Sequence, residues 1–309
     1  MLGMDIRAVA FDANGTLVKI LTEEGMEEIF RAAAHFLTYQ GIDLCRDQVR
    51  DLYFRIMAEQ QQASPEEHPE FDAVDIWRRI ITEHQTDFTR ALPAAKLEQM
   101  PLFLAEMCRG ISRRRLGLYP HARQVLDVLR ERYPLALVTD AQSAYARAEL
   151  HRVGLLGYFD PIVVSGDHGY RKPDRRLFQA ALDGMNVAAA NAMYVGNDMH
   201  RDIFGAREAG LTTVMFDSDQ GKKAYRDCVP DYTITDLRDL LTILGIEANL
   251  ELPGHRGYRG PGQTTSMPHR CRPGSSDVTP MSFADGSGRG GAGSTRCTGR
   301  ARHKLRNRV

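Results

Sequence analysis

The sequence predicts an α/β protein with a Rossmann-like parallel sheet at its core. Short runs rich in β-branched and other apolar residues recur along the chain, and segments with apolar residues at helical spacing lie between them. After Leu118, each step from strand to helix to next strand fits within about 30 residues, as a right-handed crossover unit requires. These two observations favour a parallel sheet flanked by helices.

The predicted elements alternate as a parallel sheet requires. The predicted strands are Ile6–Phe11, Leu135–Thr139, Ile162–Ser165, Ala192–Val195, Thr212–Phe216 and Tyr232–Thr235. The predicted helices between them are His121–Arg132, Ala144–Val153, Arg175–Met185 and Ile203–Ala209. Gly210 is predicted to cap the last of these helices.

The pattern changes between Val18 and Gly117, where four helical segments follow one another and no strand is predicted. They are Glu24–Gln40, Asp47–Gln62, Phe71–Thr86 and Pro93–Arg109, with prolines near the joins. We therefore expect an α/β core from residues 1–18 and 117–249, with an inserted helical cap domain at residues 19–116. A cap that closes over a site excludes water and adds substrate contacts.

The composition changes again at residues 250–309, where Gly, Arg, Ser and Pro dominate. This segment holds ten arginines, one lysine and three acidic residues, although the whole chain has a formal net charge of zero. So few apolar residues cannot offset the entropy of ordering the chain, and we predict a disordered tail. With two aromatic residues, Tyr258 and Phe283, and no RNA-binding motif, the basic tail does not favour nucleic-acid binding.

The five cysteines show no Cys-x-x-Cys spacing, which is typical of reduced thiols that bind no metal. The first residues lack the basic and apolar regions of a secretory signal, and no apolar run is long enough to span a membrane. The sequence thus predicts a cytoplasmic protein, and no feature indicates an oligomeric state.

An aspartate follows the first predicted strand directly. Because parallel sheets place ligands beyond the carboxyl ends of their strands, Asp12 is well positioned for chemistry. The segment Val9–Val18, read as VAFDANGTLV, resembles the nucleophile motif Asp-x-Asp-x-Thr of the haloacid dehalogenase (HAD) superfamily. The resemblance implies that Asp12 is a nucleophile forming a phosphoaspartyl intermediate and that Thr16 binds substrate. Asn14 stands where the motif has its second aspartate.

Two further residues match the motifs of this superfamily in order and spacing. Thr139 ends a predicted strand, and the resemblance implies that its hydroxyl donates a hydrogen bond to a phosphoryl oxygen. Lys172 lies in the segment GYRKPD before a predicted helix, where an ammonium would offset the charge of nearby carboxylates and of the substrate. Asp12, Asn14, Thr139 and Lys172 are therefore the predicted catalytic positions.

The segment YVGNDMHRDI after the fourth predicted core strand resembles the acidic motif of the superfamily. Acids at the carboxyl end of a strand are typical ligands of a hard cation such as Mg²⁺. The resemblance implies a magnesium cofactor held by Asp12, the backbone carbonyl of Asn14, Asp198 and Asp202. Asn197 occupies a position where relatives often carry a ligating acid. The sequence therefore does not decide which of Asn197, Asp198 and Asp202 binds the metal directly.

Asn14 separates three functional hypotheses. In relatives the second aspartate protonates the leaving group and activates water, a role worth about 10²–10⁴ in rate that an amide cannot perform. The leading hypothesis is a Mg²⁺-dependent phosphatase for a small phosphate ester, impaired at Asn14. The alternatives are a 2-haloacid dehalogenase, whose halide leaving group needs no proton, and a silent phosphate-binding or interaction protein.

Three weaker features complete the prediction. Arg113–Arg115 lie near the end of the helical insert, where a solvated helix end is favoured over an anion-steering site. His200 lies inside the acidic motif and is expected to point outward. Lys96 is the only lysine in the central part of the insert, and a Schiff-base role for it is not favoured.

Overall fold

Six parallel strands form the central sheet. The computed structural model of the protein describes residues 5–247. The strands are β1 (Ala8–Phe11), β4 (Leu135–Thr139), β5 (Ile162–Val164), β6 (Ala192–Gly196), β7 (Thr212–Phe216) and β8 (Tyr232–Ile234). Their order in the sheet is β5-β4-β1-β6-β7-β8. All six predicted strands are confirmed, with ends shifted by at most two residues. The predicted disordered tail at residues 250–309 lies outside the described residues.

Helices cover both faces of the sheet, so its central strands are buried and apolar throughout. Along β1, Val9 and Phe11 pack into the hydrophobic core on one face, while Ala8 and Ala10 pack into the core on the other. This is the alternation of side chains that a strand imposes. The helices of this part are α6 (Ala122–Leu129), α7 (Ser143–Arg152), α8 (Arg175–Met185), α9 (Gly205–Glu208) and α10 (Asp239–Ile243).

The segment before α9 differs from its prediction. A π-helix spans Met199–Phe204 and continues directly into α9, so helical structure begins four residues before the predicted start at Ile203. The side chain of Asp198 accepts hydrogen bonds at the start of this segment, which fixes where it begins. Gly210 follows α9 with a φ of 85°, which confirms the predicted capping glycine.

The helical insert contains five helices with a hydrophobic core of their own, centred on Trp77, Phe30 and Leu104. The helices are α1 (Glu27–Tyr39), α2 (Arg46–Ala63), α3 (Ala73–His84), α4 (Asp87–Arg90) and α5 (Ala94–Ser112). The four predicted helices correspond to α1, α2, α3 and α5. The short helix α4 was not predicted, because a single turn carries too little periodicity.

A two-stranded antiparallel ribbon, which the sequence did not predict, joins the insert to the sheet region. Strand β2 (Val18–Thr22) pairs with β3 (Arg113–Leu118), with Ile20 opposite Leu116. Strand β3 was not predicted because it begins with three arginines, of which Arg113 is partly buried and Arg114 and Arg115 are exposed. The two strands pair although about 90 residues separate them in the sequence. This long-range pairing forms a ribbon that the local sequence pattern does not indicate. The insert is therefore connected to the sheet region by two adjacent strands that are hydrogen-bonded to each other.

Candidate active site

Asp12 lies directly beyond β1 at the carboxyl edge of the sheet and is almost completely buried. Its backbone N–H donates to the carbonyl of Val195 on β6, at 2.9 Å. Its carboxylate accepts hydrogen bonds from Lys172 Nζ at 2.7 Å and from Thr16 Oγ1 at 2.9 Å. The first strand and the turn after it thus bring together three of the predicted site residues.

The turn after Asp12 depends on Gly15. Its φ is 95°, and a Cβ added there would lie 2.3 Å from Nδ2 of Asn197. Glycine is therefore required both for the backbone conformation and for the close approach. The backbone N–H of Gly15 donates to the carbonyl of Val18 at 2.8 Å, which closes the turn. Asn14 is half-buried and lines a small pocket together with Thr139.

Lys172 is the centre of a buried polar network. In addition to Asp12, its ammonium donates to Asp202 Oδ1 at 2.6 Å, to the carbonyl of Val138 at 3.1 Å and to the hydroxyl of Tyr194 at 3.2 Å. Tyr194 also lies 3.2 Å from Asp202 Oδ1. Tyr194 was not predicted as a site residue, because an aromatic residue inside a buried strand is typical of a core position.

One ammonium faces two buried carboxylates, and burial together with these charges shifts the pKa values of Asp12 and Lys172. Burial raises the pKa of Asp12 to about 7, against the lowering effect of Lys172, and the charge of Asp202 adds to the rise. Burial alone would lower the pKa of Lys172, but the two carboxylates outweigh it and hold that pKa well above its usual value. Lys172 is therefore a permanent cation at the site.

Asp202 already has protein partners for both oxygens. Oδ1 accepts from Lys172, and Oδ2 accepts from the backbone N–H groups of Asn197 and Asp198, each at 3.0 Å. The Cβ of Asp202 lies so close to Gly196 that any side chain at that glycine would collide with it. In this arrangement Asp202 orients Lys172 and the loop after β6.

Asp198 is directed toward the start of the π-helix. Its Oδ1 accepts from the backbone N–H groups of His200 and Arg201 at 3.0 and 2.9 Å, and Oδ2 accepts from that of Lys222 at 3.1 Å. Burial would raise the pKa of Asp198, but the hydrogen bonds and the charge of Arg201 outweigh it and lower that pKa. The contacts of Asp198 are those of a structural cap.

Asn197 is the residue of the acidic motif that lies against the nucleophile. Its Oδ1 is 3.2 Å from Thr16 Oγ1, the same hydroxyl that contacts Asp12. Gly15 and Gly221 enclose the Asn197 side chain, because a Cβ on either glycine would lie within 2.7 Å of its amide nitrogen. Within residues 5–247, no group of three or more His, Cys, Asp or Glu side chains is arranged to hold a metal.

Asp12, Asn14, Asp198 and Asp202 stay the predicted metal ligands, and their contacts with the rest of the site differ. Magnesium is commonly bound through one or two carboxylates together with substrate phosphates. Asp12 supplies one carboxylate, and Asn197 Oδ1 is a neutral oxygen donor that contacts the same Thr16 hydroxyl. This donor set fits a cation that also takes oxygens from a substrate, whereas Asp198 and Asp202 are engaged elsewhere.

Thr139 is buried, and its Oγ1 has no hydrogen-bond partner, one of four such side-chain atoms found among the described residues. A buried hydroxyl without a partner is costly unless a ligand or water completes it. Thr139 ends β4, which pairs in parallel with β1. Its free hydroxyl therefore lies at the same sheet edge as Asp12.

Asp140 is a further site residue that the sequence did not single out. Its Oδ1 accepts from the backbone N–H of Lys172 at 3.0 Å, and its Oδ2 lies 3.8 Å from both Arg171 and Arg201. Asp140 thus holds the lysine segment in place against the end of β4. Its position directly after Thr139, at the carboxyl end of a strand, was the available signal.

Two weaker predictions hold in part. His200 is partly buried, and its ring centroid lies 4.1 Å from that of Tyr225 and 5.9 Å from that of His68 in the insert. Arg113 is the C-cap residue of α5 and also begins β3, in which Arg114 and Arg115 are exposed. Arg113 and Arg114 pair with Glu149 and Glu23 at 3.5 and 3.1 Å.

A sequence model of the haloacid dehalogenase-like hydrolase family matches residues 6–210, about two thirds of the chain. The chain belongs to this family of hydrolases. The match includes Asp12, Thr139, Lys172 and the acidic motif, so the expected family is confirmed.

Curated relatives of this protein include phosphatases. A phosphoserine phosphatase of Thermus thermophilus is 37% identical over 129 residues, which are 41% of this chain and 51% of that protein. A glyceraldehyde 3-phosphate phosphatase of Pyrococcus furiosus is 33% identical over 130 residues, 40% of this chain and 53% of that protein. The chain thus spans about half the length of these relatives.

A solved structure shares the fold. The 2-haloacid dehalogenase from Pseudomonas syringae pv. Tomato DC3000 aligns with a TM-score of 0.55 at 23% identity, covering 78% of this chain and 98% of that one. At this identity the likeness concerns the fold alone. Among the helices described here, none combines the length and apolar character that crossing a membrane requires.

Proposed function

We propose that this hydrolase is a phosphatase that acts on a small phosphorylated metabolite through an aspartyl-phosphate intermediate. The observation that carries the proposal is the unpartnered hydroxyl of Thr139, at the same sheet edge as Asp12 and Lys172. A phosphoryl group has the acceptor oxygens that this hydroxyl needs, and the ammonium balances its charge. The phosphatases among the relatives support the same activity.

The reaction follows from the roles these groups can take. The Asp12 carboxylate attacks phosphorus, forming a bond from its oxygen to phosphorus while the ester bond to the organic group breaks. Thr16 and Thr139 donate hydrogen bonds that orient the nucleophile and the phosphoryl group, and Lys172 stabilises the developing charge. Water then cleaves the acyl phosphate, releasing inorganic phosphate and restoring the carboxylate.

Among residues 5–247, Glu149 is the one acidic residue that lines the pocket with Asn14, but both of its oxygens accept hydrogen bonds from Arg109, at 2.8 and 3.0 Å. A carboxylate fixed in this bidentate pair is a poor proton donor. The leaving group must therefore depart as an anion, which favours acyl and aryl phosphates over alkyl phosphates.

We propose magnesium as the cofactor. Asp12, the backbone carbonyl of Asn14 and Asn197 Oδ1 would hold it together with oxygens of the substrate. When bound, the cation supplies positive charge that offsets the phosphoryl group and the nucleophile. With one carboxylate in the set, we expect weak binding without substrate.

We also propose that residues 19–116 act as a cap over a core formed by residues 1–18 and 117–249, in a cytoplasmic protein. The two-stranded ribbon and the separate core of the helical insert support this division. The insert also contacts the site segment, since the N–H of Arg171 donates to the carbonyl of His68 at 2.8 Å.

A second candidate function is 2-haloacid dehalogenation, and the amides at Asn14 and Asn197 favour it. A halide leaves without a proton, and an attack by Asp12 on carbon requires no metal. Lys172 would then offset the charge of a substrate carboxylate. The unpartnered Thr139 hydroxyl can donate a hydrogen bond to a phosphoryl oxygen or to a substrate carboxylate. An experiment is therefore needed to distinguish the two candidate functions.

The deciding experiment is a turnover panel of acetyl phosphate, 4-nitrophenyl phosphate and 2-chloropropionate, each with Mg²⁺ and with chelator. The phosphatase proposal expects turnover of the two phosphates that falls in chelator, and expects Asp12→Asn to abolish it because an amide cannot form the acyl phosphate. Chloride release without metal, and no phosphate release, would replace it with the dehalogenase. Wild-type activity in Asp12→Asn would refute both.

A further inference from the structure

A second cleft lies beside the catalytic pocket, between the helical insert and α7. It contains about 430 Å³ of empty space, part of it open to solvent. Its lining includes Phe30, Tyr53, Trp77 and Cys108 of the insert and Tyr145 of α7. Aromatic and apolar walls with few polar groups are typical of a site for the carbon skeleton of a small molecule.

The cleft and the catalytic pocket share a wall. Arg109 lines the cleft, Glu149 lines the catalytic pocket beside Asn14 and Thr139, and the two side chains form the bidentate pair described above. A phosphate held at the catalytic pocket would therefore have its organic group next to this ion pair.

The cleft presents no unpaired charge to a ligand. Arg109 is the one cation among its lining residues, and it is paired with Glu149 and, at 3.2 Å, with Glu24. Burial raises the pKa of the Cys108 thiol to about 12 and holds the pKa of Tyr145 above its usual value. A carboxylate would find no free cation here. The buried Nε1 of Trp77 is a free donor but is neutral, so the desolvation of an anionic group would be compensated only in part.

We propose that the substrate of this protein is the phosphate of an apolar, ring-sized organic group without a carboxylate, whose carbon skeleton occupies the cleft lined by Trp77 and Tyr145. The inference rests on the proposed phosphatase activity. It distinguishes this chain from relatives named for phosphoserine and glyceraldehyde 3-phosphate, whose organic groups are small and polar.

Three phosphonates that differ in one group test this assignment on the full-length wild-type protein. Methylphosphonate, benzylphosphonate and phosphonoacetate carry a methyl, a benzyl and a carboxymethyl group on the same phosphorus. Trp77 is the single tryptophan of the chain, so its emission reports directly on the cleft. We expect benzylphosphonate to shift this emission and to bind at least about tenfold more tightly than methylphosphonate, as burial of a ring predicts. We expect phosphonoacetate to bind no better than methylphosphonate.

Two matched variants distinguish an effect on ligand binding in the cleft from an effect on the packing of the helical core. Ala105 lines the cleft, whereas Ala34 is buried in the same helical core and does not line it. Ala105→Leu should fill the cleft and remove the preference for benzyl over methyl, while Ala34→Leu should retain it. A melting curve for each variant shows that both remain folded, and the wild-type measurement decides the question if either does not.

Two failures are distinguishable. Equal affinity for benzylphosphonate and methylphosphonate, or tighter binding of phosphonoacetate, overturns the substrate class while leaving acetyl phosphate turnover as evidence for a phosphatase. Absence of acetyl phosphate turnover in every condition overturns the phosphatase and, with it, the phosphate ester as substrate.

Discussion

Asn14 is the residue on which the rate of the proposed reaction depends most. Asn14→Asp restores a proton donor beside the leaving group, so we expect alkyl phosphate turnover to rise by about 10²–10⁴ and aryl phosphate turnover to rise less. The measurement is kcat/KM for one alkyl and one aryl phosphate in both proteins. Equal rates for wild type and variant on every ester would contradict an impaired phosphatase.

The Asn14→Asp comparison requires a wild type free of aspartate at this position. Asn-Gly sequences deamidate when the glycine nitrogen attacks the side-chain amide. Here that nitrogen, on Gly15, donates to the carbonyl of Val18 at 2.8 Å, which restrains it in the folded protein. Peptide mass analysis of aged wild-type samples is therefore the appropriate control.

The raised pKa of Asp12 predicts a pH dependence. The attacking form is the carboxylate, and its fraction increases as pH rises through the pKa of about 7. Without added metal, we expect kcat/KM for acetyl phosphate to rise between about pH 6 and pH 8, and a bound cation to move this rise to lower pH. A flat profile across this range would contradict a buried, protonatable nucleophile.

The raised pKa of Asp12 also makes the stability of the folded protein depend on pH. Stability falls as pH rises, whereas turnover is expected to increase. Because the folded-state pKa of Asp12 lies above the ordinary value of 3.8, the folded protein binds more protons than the unfolded chain between these two values. Ionisation of Asp12 thus lowers the free energy of unfolding as pH rises through this window.

At the scale of elements, the contact between α5 and α7 includes one buried ion pair. The side chains of Arg109 and Glu149 are 10% and 8% exposed, so removing one charge leaves the other buried with weaker partners. We expect Arg109→Gln to lower the free energy of unfolding by about 3 kcal/mol. Denaturant unfolding measures this change.

The exposed pair of Arg78 and Asp75, at 2.8 Å and 54% and 37% exposed, provides the matched control. Solvent screens such a pair, and we expect Arg78→Gln to cost less than about 1 kcal/mol. A similar loss in both variants would show that the buried pair does not hold the insert against α7.

At the scale of the whole molecule, the basic segment at residues 250–309 lies beyond the last described helix, α10. Its composition predicts that it adds no packed structure. We expect a chain that ends at residue 249 to keep the melting temperature and the acetyl phosphate turnover of the full chain. A clear fall in either quantity would assign the segment a structural or functional role.

Local sequence determined the strands of the sheet and the order of the site motifs. Runs such as Leu135–Thr139 form strands because a buried parallel sheet takes mostly apolar side chains on both faces. Asp12 was predicted from its position after the first strand, at the carboxyl edge of the sheet. Thr139 and Lys172 were predicted from the resemblance of their segments to the superfamily motifs.

Only the tertiary structure decided which motif residues face the nucleophile. Asn197 and Asp198 are neighbours in the sequence, yet one contacts Thr16 while the other caps the π-helix. Tyr194 joins Lys172, and Arg109 meets Glu149, through contacts between elements far apart in the chain. The physical reason is that a buried oxygen takes whichever donors the folded chain brings within reach, and spacing along the sequence does not encode those partners.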